Sequence, residues 1–236
     1  MPRYPSRAPI QSSAAAGGVA AVDRALMLLA AFREGDQALS LAELAERTSL
    51  VKSTALRLLA SLQHAALIQK QHDGCYALAP GVARLHSVFA ATFPIESEVM
   101  PILKDLAGKT NETAVFYVRQ GTERLVLYRV ESHQTIQSRV KVGDLVPLSR
   151  GSGGRVLSAF SGARGAVYDK IRRDGVAALV GDRERDLAGI AAPVFRGIGN
   201  LVGALTLTMP AHRFKKSHAV IVKTAAQLMT KRLTEV

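Results

Sequence analysis

Val22, Leu26 and Leu29, with Ala25 between them, recur at helical spacing and predict a first helix that ends near Gly35. Ser40-Leu41-Ala42-Glu43 follows as a capping box, in which hydroxyl and carboxylate each satisfy an orphan amide, and it opens a short second helix to about Arg47. Thr48 and Ser49 are read as caps of a third helix, whose Ala55, Leu58, Leu59 and Leu62 stand at i, i+3, i+4 and i+7. Two short strands, 67–71 and 75–78, flank His72-Asp73-Gly74, and Asp-Gly is a hairpin turn signal because it accepts positive φ. Helix, capped helix, third helix and hairpin make a winged helix-turn-helix.

Pro80 and Gly81 break the chain, and Val82, Leu85, Val88 and Phe89 then mark a linker helix running to Phe93-Pro94. Its apolar face suits core packing and a dimer contact equally. From Ile95 the pattern becomes mixed. Val99, Ile102, Leu103 and Leu106 predict a helix, and residues 114–118 and 125–130 predict strands about Gln120-Gly121-Thr122. Residues 136–142 read as a further strand. Val146-Pro147-Leu148 leads into a glycine-rich loop and a helix over 155–160. Strands over 187–195 and 201–209 and a closing helix carrying Ile221, Ala225, Leu228, Met229 and Leu233 complete one sheet with helices at both ends, a common sensor design.

The expected organisation is a disordered tail over 1–18, rich in Ser, Ala, Pro and Gly; a DNA-binding domain over 19–80; a linker helix over 81–94; and an effector domain over 95–236. The 236 residues suffice for two cores, and 48% hydrophobic with 21% charged residues is ordinary globular usage. No apolar run approaches the length of a membrane helix, and the start lacks a signal peptide's apolar stretch, so a cytoplasmic protein is expected. The single Cys75 admits no internal disulfide. The net charge of +12 invites a nucleic-acid reading. Its distribution removes that shortcut: residues 1–80 hold 8 basic and 6 acidic side chains, and residues 81–236 hold 23 and 13.

The chemistry must therefore rest on where a few bases sit. Lys52, Ser53 and Thr54 lie in the first turn of the third helix and Arg57 about one turn on, so donors project from the end that enters a groove. In the glycine-rich loop, Gly151, Gly153 and Gly154 let amides turn inward at a helix start, which favours an anion, and Arg150 or Arg155 can pair with a carboxylate. A tight turn with an exposed arginine is the plainer alternative. Catalysis finds no support: Gly151-Ser152-Gly153 is not a nucleophile elbow, and the loop lacks the lysine and hydroxyl of a P-loop. The six histidines show no metal spacing, and His72 with Cys75 reads as a wing turn. No cofactor, metal or catalytic residue is expected.

Ala21-Val22-Asp23-Arg24-Ala25-Leu26, Leu39-Ser40-Leu41-Ala42-Glu43-Leu44-Ala45, Lys52-Ser53-Thr54 with Arg57-Leu58-Leu59, Arg129-Val130-Glu131-Ser132, Pro147-Leu148 and Ile190-Ala191-Ala192-Pro193-Val194-Phe195 resemble, in order, recurring segments of the IclR family of transcription regulators. The resemblance implies an α+β multidomain chain with a winged helix-turn-helix, a linker helix and a GAF-like α/β effector domain, assembled as homodimers that often pair as tetramers. It implies that the helix over 49–64 reads the major groove of double-stranded DNA and that the wing from Gln71 to Tyr76 lies near phosphates or the minor groove. Ser40, Lys52, Ser53, Thr54, Arg57, Gln71 and Tyr76 are thus the candidate DNA contacts, with Lys52 on a phosphate and Ser53 and Thr54 on phosphate or base edge. A symmetric dimer calls for a near-palindromic operator. By the same resemblance the effector pocket is lined by Tyr128, Ser149, Arg150, Gly151, Ser152, Gly153, Arg155, Gly189 and the inward pair Thr206 and Thr208, which alternate with Leu205 and Leu207 as in a half-buried strand. Two departures matter. The loop 149–155 differs from the family's common segment, and the stretch 160–175 is short where relatives often have a longer helical insert, so a lid or pocket wall is expected to be missing.

Overall fold

The structure, a computed structural model, describes residues 15–33, 35–92, 95–132, 134 and 140–235. The chain divides into two compact units, Met1–Phe93 and Pro94–Val236. In the first, α1 (Ala20–Ala30), α2 (Leu41–Thr48) and α3 (Lys52–His64) precede the hairpin β1 (Ile68–Lys70) and β2 (Tyr76–Leu78), and α4 (Pro80–Thr92) follows. Leu28, Leu44, Ala55, Leu59, Leu62, Ile68 and Tyr76 form one core. Burying each of the larger aliphatic side chains contributes about 1.5–3 kcal/mol, which is why the helical stripe over 55–62 was so legible.

Local chemistry sets the boundaries. Ser40 closes the capping box on α2: its amide donates to Glu43 Oε2 at 2.8 Å, and its Oγ accepts the Glu43 amide at 3.2 Å. The expected capping of α3 by Thr48 and Ser49 is corrected. The buried Thr48 hydroxyl donates to the Leu44 carbonyl at 2.6 Å, and Ser49 takes a left-handed conformation (φ 56°), so both residues end α2. Val51 stands at the N-cap of α3, with no side-chain cap. The first helix ends at Ala30, short of Gly35, where Arg47 reaches the Ala31 carbonyl at 3.0 Å and pairs with Asp36.

Pro80 and Gly81 open α4 instead of breaking the chain. Proline is suited to a first helical position, and the Gly81 amide donates to the Ala66 carbonyl at 2.9 Å, where a Cβ would overlap that oxygen. Of the tail expected over 1–18, residues 1–14 lie outside the described residues, and 15–18 form a turn tied to α1 by the Ala15 amide on Asp23 Oδ2 at 3.0 Å.

The second unit runs α5 (Glu96–Thr110), β3 (Thr113–Gln120), β4 (Glu123–Val130), β5 (Leu145–Pro147), α6 (Ser152–Phe160), α7 (Ala166–Asp174), β6 (Ala177–Val180), β7 (Leu187–Phe195), β8 (Leu201–Pro210), a 3-10 turn and α8 (His218–Glu235). The strands form one antiparallel sheet in the order β5-β4-β3-β8-β7-β6. Helices α6 and α7 pack on one face with Val115, Tyr117, Val126 and Ala191, while α5 and α8 cover the other. With both faces covered, every residue from Gly203 to Pro210 is buried, so β8 is not the half-buried strand its alternation suggested.

Three further expectations bear on the sheet and its surroundings. Residues 136–139 of the expected strand 136–142 lie outside the described residues. Its end is a turn, with the Asp144 amide on the Lys141 carbonyl at 3.1 Å, and the paired strand is β5. The stretch 160–175 holds the short helix α7, whose Ile171 is buried, and none of its residues lines the pocket described below. A bulge between Phe116 and Tyr117 reverses one side chain: Tyr117 pairs with Val126, but Phe116 pairs with Tyr128, leaving Leu127 as the extra residue.

Candidate nucleic-acid interface and effector pocket

On α3, Ala55, Leu59 and Leu62 face the core, and Ser53, Leu56, Arg57 and Ala60 form the exposed stripe beside Lys52, with Thr54 half-buried. Because Val51 supplies no cap, the first-turn amides next to Lys52 remain without a side-chain acceptor, an arrangement that suits a phosphate oxygen. Leu56, 48% exposed, escaped the sequence reading. An apolar side chain on a groove-facing stripe suits a thymine methyl, and the signal available was its position three residues after Ser53 and one before Arg57.

The other DNA candidates divide. Gln71 is exposed on the wing, its amide bonded to the Cys75 carbonyl at 2.7 Å around Gly74 (φ 84°). Ser40 is committed to its capping box. Tyr76 is withdrawn as a DNA contact: its ring is 2% exposed in the core, with Lys70 Nζ lying 5.8 Å from its centroid.

The second unit contains a pocket between the start of α6 and the sheet, lined by Gly151, Ser152, Gly153, Gly189, Thr206 and Thr208 from the expected set. Its volume is about 30 Å³, more than the roughly 10–15 Å³ that a single water molecule needs. Gly153 is required there, since a Cβ would stand 2.8 Å from Thr206 Oγ1 and 3.1 Å from the Tyr117 ring. The Ser152 hydroxyl is spent on the Gly189 carbonyl.

Four expected residues do not line it. Tyr128 is corrected by the bulge, which turns it to the α5 face with Phe116; there burial, and then Glu96, push its pKa above the ordinary 10.0. Ser149 and Arg150 are exposed and stand outside the lining. Arg155 is already engaged: its Nε and Nη2 donate to the two oxygens of Asp182 at 3.2 and 3.1 Å.

Asp182 also accepts the Gly151 amide at 2.6 Å, so an internal carboxylate sits where the glycine loop was expected to receive a ligand's. Burial pushes the Asp182 carboxyl up, but the Arg155 guanidinium, the Gly151 amide and the charge of Arg150 outweigh it and hold its pKa below the ordinary 3.8. The hydrogen bond to Asp182 raises the Arg155 pKa.

Sequence reasoning also missed Arg124. Only 2% exposed, it projects from β4 into the pocket lining, its guanidinium carbon 4.9 Å from the Tyr117 centroid. Its Nη1 donates to the Pro147 carbonyl and, at 2.8 Å, to that of Arg150. Burial, more than any neighbour, pushes its pKa below the ordinary 12.5. A Cβ on Gly154 would overlap this guanidinium and the Leu148 carbonyl, so that glycine makes room for it. Among the described residues no group of His, Cys, Asp and Glu is placed to hold a metal, and no helix is long and apolar enough to cross a membrane.

A winged helix-turn-helix followed along the chain by a sheet domain that holds a small pocket is the architecture of a DNA-binding regulator. Residues 21–72 match the profile of the IclR helix-turn-helix domain, and residues 89–167 and 165–231 match that of the bacterial transcriptional regulator IclR C-terminal domain. The chain belongs to the IclR family: it is a DNA-binding transcription regulator and not an enzyme. A helix-turn-helix transcriptional regulator of Mycobacterium tuberculosis is 27% identical over 222 residues, covering 84% of this chain and 85% of the relative. The glycerol operon regulatory protein of Streptomyces griseus is 24% identical over 222 residues, covering 84% and 87%. Among solved structures, an IclR homologue from Microbacterium hydrocarbonoxydans complexed with 4-hydroxybenzoate shares the fold with a TM-score of 0.79 at 20% identity, over 92% of this chain and all of that one. An IclR regulator from Alicyclobacillus acidocaldarius does so with a TM-score of 0.75 at 19% identity, over 92% and 98%.

Proposed function

We propose that this regulator binds a near-palindromic operator as a homodimer and that a small anionic effector, seated in the pocket beside α6, changes its grip. The domains are 19–80 for DNA, 81–94 for the link and 95–236 for the effector. On the exposed stripe of α3, Arg57 and Ser53 meet base edges while Lys52 and the uncapped amides hold phosphate. The observation that carries the effector reading is the buried Arg124 guanidinium in the pocket, which no carboxylate of the described residues pairs with. The 4-hydroxybenzoate bound by the Microbacterium hydrocarbonoxydans relative, itself a carboxylate, points the same way. Exposed Leu85, Val88 and Phe89 on α4 support a dimer contact.

The test is fluorescence anisotropy with DNA from just upstream of the protein's own gene, over a salt series, against unrelated DNA. Arg57→Ala is expected to cost about 1–3 kcal/mol of specific binding, and Lys52→Ala to lower the salt slope by about one. Unaltered binding by both variants would overturn α3 as the reading helix. A panel of small acids added to the complex tests the effector, and an affinity unchanged by all of them argues against it.

A further inference from the structure

We infer that Arg124 and Thr206 form the seat for the head group of a singly charged carboxylate, which sets the effector class as monocarboxylic acids. The inference rests on the reading of the pocket as an effector site. Two buried polar atoms of the lining lack any hydrogen-bond partner: Arg124 Nε and Thr206 Oγ1. Their residues are 2% and 3% exposed. A buried polar atom without a partner costs free energy unless something in the site completes it. Both residues line the same small pocket together with Tyr117, whose ring centroid lies 4.9 Å from the Arg124 guanidinium carbon.

Charge fixes the valence. Asp182 is taken by Arg155 and the Gly151 amide, and Arg183 Nε lies 3.3 Å from Glu184. Arg124 is the lining cation with no ion pair, and one negative charge balances it. A second charge on the ligand would meet the Asp182 carboxylate at the neighbouring helix start, where like charges repel. A neutral amide offers one carbonyl acceptor but no charge to balance the guanidinium, and its NH2 group is a donor where the carboxylate has its second acceptor. The volume of about 30 Å³ suits a head group alone. Leu179 and Leu187, which also line the pocket, are placed to meet an apolar body.

Formate is the head group by itself, and formamide is its neutral isostere. Thermal unfolding of the full chain is followed with sodium formate, formamide and sodium oxalate, with chloride holding ionic strength constant. Formate is expected to raise the midpoint in a saturable way, and formamide and oxalate to leave it at the chloride value. Thr206→Val removes a hydroxyl that holds nothing, so it should fold as well as the parent, yet it should weaken formate about tenfold, the worth of one hydrogen bond. Arg124→Met should abolish the formate effect. Equal shifts with formate and formamide, or an undiminished formate response in Thr206→Val, overturn the seat.

The operator assay separates this failure from that of the underlying reading. An acid that alters operator binding while formate fails leaves the effector site standing and removes the Arg124 seat. Saturable formate binding with no acid acting on the operator complex retains the seat and removes its regulatory role.

Discussion

Asp182→Asn isolates the internal ion pair at the start of α6. The substitution keeps an acceptor for the Gly151 amide but removes the charge that Arg155 grips with two hydrogen bonds. The two side chains are 24% and 27% exposed. Exposed pairs are worth about 0.2–1 kcal/mol, and breaking a fully buried one costs about 3–5 kcal/mol. A pair three-quarters buried, with one hydrogen bond conserved, should therefore lose about 2 kcal/mol. For a unit of this size that is a fall of roughly 4–8 °C in the unfolding midpoint. The pH dependence carries the sharper test. The Asp182 pKa is lowered on folding, so its stabilisation is fully present above the unfolded value near 3.8 and is lost as pH falls through the folded one. Calorimetry of parent and variant should show a constant difference from neutral pH down to about pH 5, closing as the carboxyl protonates below its ordinary range. A difference that stays constant to about pH 3, or is absent at neutral pH, refutes a charged Asp182–Arg155 pair.

The winged domain was legible because its signals are local. The 55–62 stripe, the Ser40–Glu43 box and the Asp73-Gly74 turn each act within one element, and each is present in the structure. Errors fell where two local rules competed. Thr48 and Ser49 are good N-caps, but a buried threonine back-bonded to Leu44 and a left-handed serine serve the preceding helix instead. Helix α7 carries one buried residue, Ile171, so it has no stripe to detect. Tyr128 shares sequence parity with Val126, and only the bulge at Leu127, a property of strand pairing, sends it to the opposite face.

The pocket was half legible for the same reason. Its glycine loop announces itself locally and the Thr206–Thr208 pair follows from the family resemblance, and both line the site. Asp182 lies 31 residues from the amide it accepts and 27 from its arginine, separations that no periodicity encodes. Arg124 did leave a trace. It stands in phase with Val126, on the buried face of β4, where an arginine must either reach solvent or be held by acceptors.

Gly154→Ala should destabilise the second unit by about 3 kcal/mol or more, since the new methyl meets a backbone carbonyl as well as Arg124; calorimetry that leaves the midpoint unchanged would show the α6 start to be plastic. Ser40→Ala should cost about 0.5–2 kcal/mol in urea titration and leave operator specificity intact, because the hydroxyl is spent on the Glu43 amide; a changed specificity would return Ser40 to the DNA contacts. The last case is Glu112 with Arg213, a two-bond pair at 2.7 and 2.8 Å whose carboxylate side chain is 5% exposed. Removing Arg213 alone strands that carboxylate and should cost about 3–5 kcal/mol, whereas Glu112→Leu with Arg213→Leu removes both charges and should cost less than the single Arg213→Leu; a double variant at the sum of the two singles would mean that the charges are solvated independently and that the pair does not hold β3 to the turn before α8.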